Sequence, residues 1–335
     1  MKNKVLIIAE AGVNHNGSVM IAKKLAREAK KSGADFIKFQ IFKTDEQISK
    51  STPTANYQKK NSKEKNMYNM AKLYELSLNE HREIKKYCAK INIHYLASCF
   101  DVESFNYYRK YLNKNIIKIG SGEITNIHLL KEISKYNITV ILSTGMSYLG
   151  EIKKALNILK KNKTILLHCT SEYPTNYDYV NLNSMISLKN NFKRTIGFSD
   201  HTLDSLASIS ATALGAQIIE KHFTINKFFK GPDHKMSLNP KELKVFIKKI
   251  RNTEQLLGSY EKKPTKKELE MRKFARRGVV ANRNINKGEK ILLKDITFKR
   301  PSTFIPAEDI KLIIGKKALK NIRIDMPMKF KYFKK

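Results

Sequence analysis

Two histidines close β-branched runs and have the placement for metal chemistry: His201 follows "TIGFSD" and His222 lies in "QIIEKHFT". Ending an apolar strand in Glu220, Lys221 and His222 is costly unless each side chain finds a partner. Imidazoles at the ends of neighbouring strands can share one ion. With oxygen ligands and water completing the shell, that set suits Mn²⁺ or a similar divalent cation. The ends of the other β-branched runs add a second set: Glu10, Lys38, Gln40, Ser98, Lys118, Ser121, Glu123 and Ser143, then His168 with Thr170, Ser171 and Tyr173, and finally Ser199, Asp200 and Lys221. Lysines and hydroxyls converging on one point suit a phosphate or carboxylate, held by charge-assisted hydrogen bonds. Of the remaining histidines, His94 reads as a mid-strand packing residue and His81 as a surface residue of a helix, while His168 fits either the site or the core beneath it.

Such groups act together only if the fold brings the strand ends together. The runs "VLIIAEAG", "DFIKFQIF", "INIHYLASCF", "IIKIGSG", "TVILSTG", "TILLHCT", "TIGFSD" and "QIIEKHFT" alternate with amphipathic segments such as "VMIAKKLAREAKKSG" and "LGEIKKALNILKKN". Strands alternating with helices make right-handed βαβ units and a parallel sheet. Eight units in roughly 250 residues predict an α/β chain folded as a closed (β/α)8 TIM barrel, whose active sites gather at the C-terminal face of the strands. The turn after the first strand, "EAGVNHNGS", lacks the GxGxxG of a doubly wound sheet. The long polar connection from Phe42 to Leu78 is expected to be functional or mobile. The predicted organisation is a barrel over 1–257, a charged linker over 258–273 and a small β-rich domain over 274–335.

Composition narrows the function classes. The chain has 335 residues, 41% of them hydrophobic, enough to bury a core. Cys88, Cys99 and Cys169 form no CxxC pair and fit a reduced, cytoplasmic protein. "MKNKVLIIAEAG" reads as a first strand rather than a signal peptide, and no run approaches the ~20 apolar residues of a membrane helix, so no membrane association is expected. The net charge of +35 comes from lysines spread along the chain, without an aromatic-interleaved basic groove. It reads as compositional bias that favours small anions, and no nucleic-acid partner is expected. A basic nucleic-acid-binding barrel without catalysis is the distant alternative, and it leaves His201 and His222 without a use.

The blocks "AEAGVNHNGS", "IKFQIFK", "KIGSGEI", "ILSTGM", "LLHCTSEYP", "IGFSDHT", "EKHFT" and "GPDHKMSL", in this order along the chain, resemble the sialic acid synthase family, and the tail is similar to its antifreeze-like (SAF) domain. The resemblance implies condensation of phosphoenolpyruvate with an N-acetylated amino sugar. The enol C3 attacks the sugar's open-chain aldehyde, water adds at C2, and phosphate leaves by C–O cleavage. It implies that Lys38, Ser98, Lys118, Ser121, Ser143, Ser171 and Ser199 hold phosphoenolpyruvate. Gln40, Glu123, Tyr173 and Asp233 would contact the sugar, His201 and His222 would bind Mn²⁺ or Mg²⁺, and Glu10 would manage protons. It also implies a domain-swapped homodimer in which Arg300, in "FKRPS", reaches the partner's barrel. The leading expectation is N-acetylneuraminate synthase, acting on N-acetylmannosamine. The alternative is N,N'-diacetyllegionaminate synthase, acting on 2,4-diacetamido-2,4,6-trideoxymannose. The chain departs from the family in "RPSTFIP", where "RPGxG" is common, and in "ASCF", where Cys99 replaces a proline.

Overall fold

A computed structural model describes residues 4–53, 66–302 and 304–333. Eight parallel strands, β1 (Leu6–Gly12), β2 (Phe36–Ile41), β3 (His94–Cys99), β4 (Ile116–Ile119), β5 (Thr139–Ser143), β6 (Thr164–His168), β7 (Thr195–Asp200) and β8 (Ile218–His222), close in sequence order, β8 pairing back onto β1. Side chains alternate between the two faces of a strand, which here means barrel interior and helical layer. The interior base is apolar, with Ile8, Leu96, Ile141, Ile165, Leu167 and Ile218 in one cluster. One pleat further along, the same inward lines carry Glu10, Ser98, Ser143 and Glu220. The outward residues Ile7, Ala9, Ile37, Phe39, Ala97, Ile117 and Ile219 pack into the shell between sheet and helices.

The helices follow from local chemistry. In Val19–Ser32 the buried residues Ala22, Leu25, Ala26 and Ala29 form one stripe, with Ser18 capping the start through Ile21 N and Gly33 ending it at φ 95°. Pro240 opens the helix Pro240–Leu256, where Asn239 and Glu242 form a capping box. The Phe42–Leu78 connection contains the helices Thr44–Gln47 and Met67–Tyr74; most of its polar middle, "STPTANYQKKNSKEKN", lies outside the described residues.

A second compact unit spans Ser259–Lys335. In it β9 (Gly278–Ala281) pairs antiparallel with β10 (Ile296–Lys299), over a separate core that includes Val279, Ile291, Ile305, Ile313 and Met328. The second half of the expected linker belongs to the helix Lys266–Ala275, started by a Thr265–Glu268 capping box. Among the described residues no helix is long and apolar enough to cross a membrane.

Two histidine readings are corrected. His81 is fully buried, with Nδ1 2.9 Å from the Tyr95 hydroxyl. It shares the helix face of Ile84 and Cys88 that lies on the barrel. His94 opens β3 and is exposed, its ring 5.1 Å from that of Phe36.

Burial holds the His81 pKa down to about 3 and that of His15 down to about 4. Below about pH 6.5 the unfolded chain binds protons that the native histidines refuse. Stability should therefore fall as pH drops from 6.5 toward 4. In denaturant titrations at stepped pH, His81→Phe should flatten that fall by roughly 1.4 kcal/mol per pH unit. An identical acid slope in the variant would assign the effect to other groups.

Candidate functional site

A cavity of about 410 Å³ opens at the C-terminal ends of the strands. Glu10, Lys38, Gln40, Ser98, Lys118, Ser121, Ser143, Ser171, Tyr173, Ser199, His201, His222 and Asp233 all line it. Of the residues that the family resemblance assigns to this barrel, Glu123 does not. Glu123 turns aside in the short helix after β4, where its Oε2 accepts from Asn126 Nδ2 at 2.7 Å. Arg300 belongs to the second unit and is exposed just after β10.

Glu220, to which the sequence reading gave no role, is the centre of the charged floor. Its Oε1 lies 3.1 Å from Lys38 Nζ, 3.4 Å from Lys118 Nζ and 3.1 Å from Ser199 Oγ. Lys38 also donates to Ser98 Oγ at 3.2 Å and lies 3.4 Å from Glu10 Oε2. These groups are all almost fully buried. The signal was available in the sequence, because Glu220 is two residues from His222 and so shares its face. The same alternation explains the groups that leave the site. Lys221 points outward and pairs with Asp200 at 3.1 Å, and Asp200 also accepts from Thr202 and Ser208. His168 points outward to the Val180 carbonyl, 2.7 Å away. This is why Asp200 and Lys221 do not reach the cavity, contrary to their placement at a shared rim, and why His168, open to either reading, lies outside it.

Two buried carboxylates beside two lysines cannot behave alike. Burial raises the pKa of both, but Lys118 and Lys38 outweigh it at Glu220 and hold that carboxyl low. At Glu10 burial dominates, Lys38 only partly offsets it, and the Glu220 charge adds to it, so its pKa rises to about 7. Environments that separate two carboxyls in this way divide acid–base duties between them. Lys38 is likewise burdened by burial, yet Glu10 and Glu220 raise its pKa, whereas burial wins at Lys118 and lowers it.

One wall is built for an oxygen-rich group. A Cβ added at Gly145 would stand 2.4 Å from Ser171 Oγ, 2.9 Å from Ser121 Oγ and 3.0 Å from Cys169 Sγ. The absent side chain thus leaves a cradle of two hydroxyls and a thiol. Gly145 N–H donates to Ser121 Oγ at 3.1 Å, and Ser121 Oγ meets Cys169 Sγ at 3.1 Å. Cys169, also unassigned from sequence, faces inward on the line of Leu167. On the opposite side, Gly12 at φ 50° is the point where Glu10, Gln40 and Asp233 converge, with side-chain atoms 3.3, 3.5 and 3.6 Å from its missing Cβ. Burial raises the Asp233 pKa to about 6.

The imidazoles of His201 and His222 have ring centroids 5.7 Å apart. Tyr173 covers both, 4.2 Å from the His201 ring and 5.8 Å, edge-on, from that of His222. His201 Nδ1 lies 2.6 Å from the Thr170 carbonyl, so it carries the proton and leaves Nε2 with a free lone pair. His222 Nδ1 is buried without a hydrogen-bond partner. An imidazole nitrogen binds a divalent ion at about 2.1 Å, and rings at this spacing fit one shared cation. Among the described residues no group of three His, Cys, Asp or Glu side chains is arranged around a common metal position. A cation held by this pair would draw its remaining ligands from substrate and water. Glu10 Oε2, Ser143 Oγ and Glu220 Oε2 are also buried without hydrogen-bond partners, in a cavity whose chemistry asks for a polar, charged occupant.

Comparison with known proteins agrees with this geometry. Residues 25–262 match the NeuB family model and residues 276–331 match the SAF domain. The chain is 46% identical over 328 residues to the N,N'-diacetyllegionaminic acid synthase of Campylobacter jejuni, covering 96% of this chain and 98% of that protein. It is 40% identical to the enzyme of the same name from Legionella pneumophila, over 94% of this chain and 91% of that one. Among solved structures, the N-acetylneuraminic acid synthetase of Leptospira borgpetersenii superposes with a TM-score of 0.70 at 35% identity, covering 80% of this chain and 90% of that one.

The Gly145 cradle gives a direct test. In Gly145→Ala the new methyl occupies the space between Ser121 and Ser171, and one charged hydrogen bond lost from a bound anion weakens it about 10- to 100-fold. Calorimetric titration with inorganic phosphate should show that loss, and an unchanged affinity would remove the cradle from anion binding.

Proposed function

The chain belongs to the NeuB family of phosphoenolpyruvate-dependent sialic acid synthases, and on that premise we propose that it condenses phosphoenolpyruvate with 2,4-diacetamido-2,4,6-trideoxymannose and water, giving N,N'-diacetyllegionaminate and phosphate. This acceptor replaces the N-acetylmannosamine of the leading sequence expectation. The support is the 46% and 40% identity to two proteins bearing the legionaminate name, against 35% for the neuraminate-named structure. The observation that carries the reaction itself is the meeting, in one cavity, of a lysine-and-serine anion site and a histidine pair.

Each residue then has a task. Lys38 and Lys118, with Ser98, Ser121, Ser143, Ser171 and Ser199, bind the phosphate and carboxylate of phosphoenolpyruvate. Gln40 and Asp233 orient the sugar's polar groups beside Gly12, and Tyr173 holds the two imidazoles in place. Glu123 is left as a support for Asn126. Mn²⁺ or Mg²⁺ on His201 and His222 would supply Lewis acidity toward the sugar's carbonyl oxygen. Glu10, a buried carboxyl whose Oε2 has no hydrogen-bond partner, takes the proton of the water that adds at C2. Holding both reactants in one cup removes up to about 7–11 kcal/mol of entropic cost. Arg300 of a second copy completes the sugar site in a dimer, so Arg300→Ala should raise the sugar KM and leave that of phosphoenolpyruvate unchanged.

Purified protein with phosphoenolpyruvate and Mn²⁺ should release phosphate on adding the diacetamido sugar. Release with N-acetylmannosamine alone would restore the neuraminate reading. In His222→Ala, Mn²⁺ affinity should fall by about 10- to 100-fold or more, read by calorimetry on the folded variant; an unaltered affinity would reject the ligand assignment.

A further inference from the structure

We propose that the apolar half of the cavity, formed by Val13, Phe42, Ile48, Met67, Met70 and Phe100, reads the methyl groups of the acceptor and makes the site select a deoxygenated, doubly acetylated sugar over a fully hydroxylated one. The inference rests on the acceptor reading above and names the residues that would enforce it.

The cavity has two chemically distinct halves. The strand ends give the charged floor and the Gly145 cradle, to which the phosphate and carboxylate of phosphoenolpyruvate are assigned above. The segment after β2 contributes Phe42, Gln47, Ile48, Met67, Met70, Ala71 and Tyr74 to the lining, with no charged side chain among them. Val13, Phe42, Ile48 and Ala71 form a buried apolar cluster separate from the barrel core, with Met67, Tyr74 and Phe100 against it. Phe42 and Phe100 meet edge to face, ring centroids 6.2 Å apart. Phe42 lies two residues beyond Gln40, on the same side of the extended chain, and Val13 directly follows Gly12. The apolar wall therefore rises from the point where Gln40, Glu10 and Asp233 converge.

Phosphoenolpyruvate has little apolar surface to offer such a wall, so the wall belongs to the second substrate. The diacetamido trideoxy sugar presents two acetyl methyls and a C6 methyl. N-acetylmannosamine presents one acetyl methyl and places hydroxyls at C4 and C6. A hydroxyl pressed against Met70 or Phe42 loses its water without gaining a partner, while a methyl there is removed from water favourably. A single methylene in an apolar pocket discriminates by about 10- to 200-fold.

The test is the ratio of kcat/KM for 2,4-diacetamido-2,4,6-trideoxymannose to that for N-acetylmannosamine, in the wild type, in Met70→Gln and in Met67→Gln. Glutamine keeps the length of methionine and adds a polar amide, and thermal unfolding checks that each variant is folded. Met67 is only half-buried, so its variant serves if Met70→Gln does not fold. The wild-type ratio should exceed about ten and fall by about tenfold in a variant, with the KM for phosphoenolpyruvate unchanged. A ratio near one in the wild type, or the same ratio in the folded variants, overturns the selectivity while leaving the condensation intact. Absence of phosphate release with every sugar overturns the reaction, and the selectivity with it.

Discussion

The charged floor at the open end of the barrel is organised by one buried carboxylate. Glu220 meets two lysines and a serine, all four groups arriving on different strands. Two ammonium groups cannot be buried side by side without an anion between them, because the desolvation cost far exceeds what neutral hydrogen bonds return. Glu220 supplies that anion from the barrel itself. The lysines are therefore already desolvated and aimed when an anionic ligand enters, and little reorganisation is left to the binding step.

The same arrangement separates the two carboxyls. Once Glu220 has taken both lysines, Glu10 is buried with a weaker share of positive charge and holds its proton more strongly. One acid is fixed as a permanent counter-ion and the other is free to exchange a proton near neutrality. Across the cavity the contrast is spatial. The glycine cradle and serine hydroxyls suit oxygen-rich groups, and the wall after β2 is apolar, so the two sides of the cavity differ in the polarity they would accept.

Much of this was legible in the residues. Strand–helix alternation predicts the eight-stranded closed barrel, and most of the polar strand-end residues do line one cavity. The pair His201 and His222 was readable as neighbours because consecutive parallel strands in a barrel are adjacent. Where the reading fell short, the missing step was the inward–outward alternation applied strand by strand. It would have removed Asp200, Lys221 and His168 from the cavity and added Glu220 and Cys169. His81 was misplaced for a similar reason: its face is set by the spacing to Ile84 and Cys88, not by its own polarity.

The sequence by itself determined which groups reach the mouth of the barrel, since a side-chain period of two and a closed parallel sheet leave no freedom there. Only the tertiary structure decided which carboxylate took the lysines, because that depends on distances across the barrel between strands remote in sequence. It also decided that Glu123 turns to Asn126 instead of the cavity, and that the segment after β2 presents an apolar wall. Both are set by the irregular chain beyond the strand ends, where no repeating geometry ties a residue's position in the sequence to its direction in space.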